Sequence, residues 1–594
     1  MKKWAYFADE TERKFMMNRN ILSARRLILG LLLAAAPWGV RAQVEKQVEV
    51  TKAYVPSVEP AEKLRIEPRM DDTVTMRPDI DYTVTPLTMQ TNLETRPIRP
   101  AQISYWEFNT PSRFYLKAAA GPAPESLLDF YASTAHANTG YLMGYLNHEG
   151  RYQKLTNDFG VDHNANRMSN RIGAAAGKYF GPRLLEGDIH YRHRLDRRYG
   201  FHLLSDVDFD LPGERIGYSD ADAVVRFGDD FQNLTRTNFE LLAAGSLFFD
   251  HSDPMAGMRR GSQYDFGARA RIGRAFSGHR FTLTLGYDRM QGARGLSDYN
   301  RGLLHAAARY AKNFTHWRVE AGADFYNDRA KNLYAGSQSS NYIFPYARLE
   351  YDRGAGRIKP FIEVDGSLTG NDFRSLTELN PYVGGNTWLA KSTADYNLRG
   401  GLTGHSSNNL FNYRLYGAFQ VSENHLYWTI PAIDYTHPEE FAAGFLHPLQ
   451  ARQASLTVGG EATWHPLTTL TIDLAAHYHL YDDQNGLEGG DPSFDAEAGF
   501  HYDGRRIRFG VRGVMQSKRT WSVHSFDRRQ TDISPVTNYT VPFECDLQAN
   551  FEWMVSSSLA LFVEGRNLLC RDFYVWPLFP DSGLTLLLGV RWNF

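Results

Sequence analysis

The sequence predicts an all-β chain: a transmembrane antiparallel β-barrel of about twenty-two strands. Three observations carry this. From Ser112 onward, segments of about ten to fourteen residues alternate in hydrophobicity with period two, as membrane strands do. The connections between them alternate between short turns and longer loops, as in outer-membrane barrels with short periplasmic turns and long extracellular loops. The last eleven residues, Leu584 to Phe594, place Leu584, Leu586, Leu588, Val590 and Trp592 on one face. Asn593, Arg591, Gly589, Leu587 and Thr585 fall on the other, so one face of this strand is greasy and the other mostly polar or small.

Composition narrows the class. Beyond the N-terminal region there is no run of 18 or more apolar residues, which excludes a helical membrane protein. With 65 basic against 67 acidic side chains there is no basic face to suggest nucleic acid. Aromatic residues reach 13 %, in keeping with girdles at two membrane interfaces. The two cysteines, Cys545 and Cys570, fall several residues apart along the barrel axis in this strand register, beyond disulfide reach.

Taken in order, residues 1–42 read as a cleavable signal peptide, with the true start at Met16 or Met17. Arg25 and Arg26 supply its charge, Leu27 to Ala36 its apolar core, and Val40-Arg41-Ala42 its cleavage site. Residues 43–110 are punctuated by Pro56, Pro60, Pro68, Pro78, Pro86, Pro97 and Pro100, which break helices and sheet interiors alike. They read as an extended periplasmic or lumen-occluding segment. Residues 111–594 read as the barrel.

Its expected strands open with Arg113–Gly121, Leu127–Ser133, Tyr141–Gln153, Arg171–Phe180 and Leu184–Leu195. Ile216–Gly228, Leu234–Phe249, Gln263–Phe276, Arg280–Met290 and Gly302–Lys312 follow, then His316–Tyr326, Tyr342–Asp352, Arg357–Thr369, Lys391–Thr403 and Leu410–Ser422. The last seven are Arg452–Trp464, Thr468–Tyr481, Phe494–Tyr502, Arg506–Ser517, Val541–Met554, Leu559–Arg566 and Leu584–Phe594. Gly181–Pro182 and Ser277–Gly278 are among the short turns. Asp196–Gly213, Gly370–Ala390, Glu423–Gln450, Lys518–Thr540 and Asn567–Gly583 are the longer loops.

The split between faces gives the candidate lumen. In Arg506–Ser517, Ile507, Phe509, Val511 and Met515 face outward while Arg506, Arg508 and Arg512 face inward. In Val541–Met554 the inward face carries Glu544, Asp546 and Glu552, so an arginine ladder is expected beside a carboxylate ladder. Such charges most simply keep a lumen wet, with ligand recognition by the arginines as the sharper alternative. His190 lies near Glu186, Asp188 and Arg192, and His477 is two residues from His479. Histidines at that spacing can chelate a metal, but no third ligand is in view. No nucleophile elbow, P-loop, dinucleotide fingerprint or CxxC occurs, so neither an enzyme nor a resident cofactor is expected.

The pattern Gly589-x-x-Trp592-x-Phe594 resembles the C-terminal signal read by the barrel-assembly machinery. The stretch Val563-Glu564-Gly565-Arg566-Asn567-Leu568-Leu569, a loop with Pro577 and Pro580, and the final strand resemble the end of TonB-dependent receptors, as does Leu410-Phe411-Asn412-Tyr413-Arg414. The resemblance implies a twenty-two-stranded outer-membrane barrel transporting or binding a solute through a polar lumen. That family carries a folded plug of well over a hundred residues. Only 43–110 is available here and its composition is wrong for one, so a relative without a folded plug is expected, and coupling to TonB is in doubt. An unplugged lumen needs another occluder: the Pro-rich segment, inward-folded loops such as Glu423–Gln450, or a partner. The alternative is a structural barrel subunit of an outer-membrane assembly or secretion complex. Expected partners are outer-membrane lipid, the barrel-assembly machinery and a periplasmic or surface lipoprotein.

Overall fold

The computed structural model describes residues 113–594 except 123, 135–138, 157–161, 201–213, 232–233, 254–258, 333–335, 355–356, 386, 433–444, 484–485, 526–536 and 582. The expected signal peptide, Pro-rich segment and missing plug therefore lie outside the described residues.

The two-residue alternation produces a closed wall of twenty-two strands. They begin β1 (Phe114–Gly121), β2 (Glu125–Ser133), β3 (Gly140–Arg151), β4 (Arg167–Phe180), β5 (Arg183–Arg197), β6 (Arg215–Asp229), β7 (Asn238–Asp250) and β8 (Gly261–Phe276). Next come β9 (His279–Arg294), β10 (Asn300–Asn313), β11 (Trp317–Asn332), β12 (Gly336–Tyr351), β13 (Lys359–Thr369), β14 (Thr393–His405) and β15 (Phe411–Ala432). The wall ends with β16 (His447–Leu467), β17 (Leu470–Asp483), β18 (Phe494–Asp503), β19 (Ile507–Gln516), β20 (Glu544–Met554), β21 (Leu559–Arg566) and β22 (Thr585–Asn593). Each strand pairs antiparallel with its sequence neighbour in the wall, and β1 closes on β22 from Tyr115↔Asn593 to Ala120↔Leu588. Every expected strand is present, with ends shifted by a few residues. No described helix is long and apolar enough to cross a membrane.

Outward positions such as Ile189, Leu241, Leu285, Ile343 and Val458 are apolar and exposed, as hydrocarbon requires. Phe594 locks the seam: its N–H donates to the Phe114 carbonyl at 3.0 Å, the Phe114 N–H returns to the Phe594 carbonyl at 2.8 Å, and the rings stack at 5.1 Å. At that end β4–β5 and β8–β9 turn in two residues, where Gly181 (φ 60) and Gly278 (φ 80) take left-handed conformations.

The opposite end carries the long connections, and there the sequence reading needs correcting. A spanning strand needs about 9–11 residues, yet β15 has 22 and β16 has 21. Most of the described part of the expected Glu423–Gln450 loop is therefore strand beyond the membrane, re-aimed by a bulge between Ser422 and His425. The expected Lys518–Thr540 loop contains strands Arg519–Ser525 and Thr537–Val541, the first running parallel to the end of β15. Gly370–Ala390 contains a helix, α1 (Phe373–Leu379). Alternation patterns report which face meets lipid; these segments meet one another instead, so their apolar residues, such as Trp428 and Ile430, point into a core of loops rather than to lipid.

They meet in a second hydrophobic core at the long-loop end. Tyr199, Leu296, Phe373, Leu376, Tyr382, Trp388, Trp428, Leu446, Trp521 and Phe579 are buried together there, packed onto the strand residues Tyr218 and Phe248. Tyr382 stacks on Phe579 with ring centroids 3.6 Å apart. Long connections between six different strand pairs thus share one core across the rim.

Candidate functional site

The centre of this cap is the β13–β14 connection, and its local sequence dictates its shape. Asp372 caps α1, accepting from the Ser375 N–H at 3.1 Å. Phe373 and Leu376, three apart, share the face that enters the cap core, where Phe373 lies edge-on to Phe248 at 5.7 Å and to Tyr218 at 6.4 Å. Arg374 reaches for the barrel wall. It donates to Asp222 at 2.7 Å and to Ser246, and lies 3.3 Å from Asp220 and 3.5 Å from Asp265. Gln263 joins the same contact, donating to Asp372 at 2.7 Å and accepting the Arg374 N–H at 3.1 Å. Arg192 donates to Glu378 at 2.6 Å, and Arg194 to the Thr377 carbonyl at 3.3 Å. Strands β5 to β8 together hold one short helix.

The other limb is fastened to a different part of the wall. Arg301 donates to the Leu389 and Ala390 carbonyls at 2.9 and 3.0 Å and sits 3.3 Å from Asp328, which accepts from Ser392 at 2.6 Å. Burial alone would pull Arg374 down, but Glu378, Asp222, Asp220 and Asp265 outweigh it and hold the guanidinium above its ordinary value. Burying Phe373, Leu376 and Trp388 contributes about 1.5–3 kcal/mol each. Apolar packing therefore dominates the stability of this connection, while the charges decide where it sits.

Further down, the inner wall alternates charges of both signs. Arg226 joins Glu186 and Glu240 at 2.8 and 2.7 Å, Lys117 meets Glu564 at 2.7 Å, and Arg309 pairs with Asp324. His190 contacts Asp188 at 2.8 Å and Asp222 at 3.3 Å. His477 and His479 both turn to Asp495, at 2.9 and 2.8 Å. Among the described residues no group of three or more His, Cys, Asp or Glu is set to hold a metal ion. Cys545 and Cys570 are free.

The two expected ladders are neighbours in register, with Arg508 opposite Glu552, but their ion pairs run elsewhere. Arg508 pairs with Asp503 at 2.6 Å and Arg512 with Glu497 at 2.7 Å. Glu544 pairs with Arg519 at 2.5 Å and Glu552 with Arg591. Asp546 accepts from Gln548 at 2.7 Å. Arg506 lies in the turn before β19 rather than on the strand. Gly589 is required by close approach, since a Cβ there would come within 2.3 Å of the Phe562 ring. Trp592 points outward and packs at 4.2 Å against Phe594.

Reading the lumen from charge ladders missed α1. A signal was present in Asp372-Phe373 followed by Leu376 and Leu379, a capping residue before apolar positions three apart. Its wall partners, Asp220, Asp222 and Asp265, had none, because inward carboxylates recur on many strands of the wall.

The sequence matches no protein-family model and no curated protein. Solved structures are similar in fold. The FrpB iron transporter from Neisseria meningitidis superposes with a TM-score of 0.62 at 10% identity, covering 82% of each chain. The copper transporter OprC gives 0.61 at 12% identity, covering 82% of this chain and 80% of that one. The ferripyoverdine receptor of the outer membrane of Pseudomonas aeruginosa gives 0.59 at 11% identity, covering 82% of this chain and 72% of that one. The chain thus has the outer-membrane barrel fold of the TonB-dependent receptor type.

Proposed function

We propose that this protein moves a solute across the outer membrane through its barrel, and that the loop cap is the gate. The observation that carries the reading is the fastening of residues 370–392. A connection that merely covered the rim would have no reason to send Arg374 to three wall carboxylates and to receive Arg301 at its far limb. Fasteners made of ion pairs and hydrogen bonds can be exchanged for water or for a ligand's polar groups at low net cost, because each is worth only about 1–3 kcal/mol. The alternating charges below keep the passage wet and suit a polar cargo. In this reading residues 43–110 are kept as an extended periplasmic or lumen-occluding segment and residues 1–42 as the export signal.

Liposome swelling tests this. Vesicles carrying the full-length wild-type protein should swell slowly in small sugars and amino acids. Vesicles carrying Arg374→Met together with Arg301→Met should swell several times faster. Equal rates from folded proteins would contradict a gate at this position.

A further inference from the structure

The outward surface at the short-turn end is not uniform around the barrel. On most of it the outward rim positions are apolar or aromatic, as at Tyr351, Leu402, Trp464, Phe509 and Trp553. Between β4 and β10 the alternation instead turns four cations outward: Lys178, Arg183, Arg274 and Lys312. Each lies over a phenylalanine: Lys178 on Phe180 at 5.4 Å, Arg183 on Phe239 at 4.5 Å, Arg274 on Phe276 at 4.5 Å and Lys312 on Phe314 at 4.9 Å. Arg183 has Asp229 at 3.8 Å. Among the described residues no carboxylate pairs with Lys178, Arg274 or Lys312.

One of these cations, Arg274, lines a groove of about 580 Å³ on the outer wall, and Lys312 stands one row beyond it toward the short-turn end. Its floor is Ala308, Ala321 and Ala323, and its sides are Ile272, Phe281 and Leu283. The register places the Arg274–Phe281–Tyr310 row next to the Phe276–His279–Lys312 row, so the two cations stand two strands apart and one row offset, about 12 Å between their Cα positions. Lys312 donates to His279 Nε2 at 2.8 Å, which leaves Nδ1–H for Tyr310 at 3.0 Å and the remaining ammonium hydrogens free. A trough of alanines floored in the hydrocarbon, opening at the headgroup level beside two cations that no described carboxylate neutralises, matches one kind of molecule.

We propose that this arc is a binding site for an anionic glycerophospholipid of the periplasmic leaflet. One acyl chain lies along Ala308, Ala321 and Ala323, and the phosphate is held between Arg274 and Lys312. Guanidinium and ammonium groups snorkelling from an apolar wall to the interface are well placed for a phosphodiester. The aromatic rings beneath them fix the depth at which they stand.

Native mass spectrometry of the full-length protein, delipidated in mild detergent and then offered phosphatidylglycerol or phosphatidylcholine, tests the site. The wild type should retain phosphatidylglycerol in preference to phosphatidylcholine. Arg274→Gln and Lys312→Gln should each weaken that retention about fivefold, and the double variant should show no preference. Ala321→Leu with Ala323→Leu, which fills the trough and leaves the charges in place, should lower retention of both lipids. Heat-modifiable migration checks that every variant is folded. Equal retention of the two lipids by the wild type, or an unchanged preference in the double variant, overturns the proposal.

Discussion

Arg374 is the residue on which the proposed gate turns. Its guanidinium faces Asp220, Asp222 and Asp265 at once, and Asp220 is fully buried. Removing the cation leaves those carboxylates in a poorly hydrated pocket, which costs roughly 3 kcal/mol, the low end for breaking a buried pair. Arg374→Met should therefore loosen α1 against the wall while the rest of the cap core persists. Hydrogen exchange is expected to rise through Phe373–Leu379 with little change in β15 or β16. Gly589 makes a different demand. A side chain there meets Phe562 and the backbone of β1, so Gly589→Val should impede closure of β22 on β1 and deplete the heat-modifiable, folded band on a gel. The terminal pattern was legible because it is local in sequence. Arg374 was not legible, because its meaning lies in three strands it follows at a distance of more than a hundred residues.

At the level of elements, period-two alternation exposed all twenty-two wall strands, because lipid on one side and water on the other imposes the same pattern on each. It stopped at the membrane boundary. Trp428, Ile430, Trp521 and Val523 lie on extended strands whose apolar residues pack against other loops, so they look like loop residues in sequence and like core in the fold. The cap also makes a pH prediction. Tyr199 and Tyr382 are buried in it, and burial pushes both phenols above their ordinary value of 10.0. A phenol whose folded value is raised keeps its proton after the unfolded chain has lost it. Stability from these groups is thus complete below pH 10 and declines as pH climbs from there toward the folded values. Liposome swelling by the wild type should stay slow up to that point and accelerate beyond it, and Tyr382→Phe, which retains the stack on Phe579, should blunt the acceleration.

For the whole molecule, the wall and the cap obey different solvents. The wall is held by backbone pairing around a closed ring and by hydrocarbon outside. The cap is held by a water-excluding core of its own. Substitution at the lipid face should therefore act on the barrel and spare the gate: Leu285→Arg, outward on β9, is expected to cost about 2–4 kcal/mol of barrel stability. Urea unfolding from vesicles measures it, and single-channel behaviour of the folded fraction should match the wild type. Replacing residues 373–389 by a short Gly-Ser linker should act in the opposite sense, preserving the barrel and removing the lid.

Single-channel recording of that lid-deleted protein beside the wild type in a planar bilayer reads the difference directly. Long closed intervals for the wild type and frequent, large conductance steps after the deletion are the expected outcome. A wild type that conducts freely, or a lid-deleted barrel that is folded and as silent as its parent, contradicts a conduit gated by its own loops.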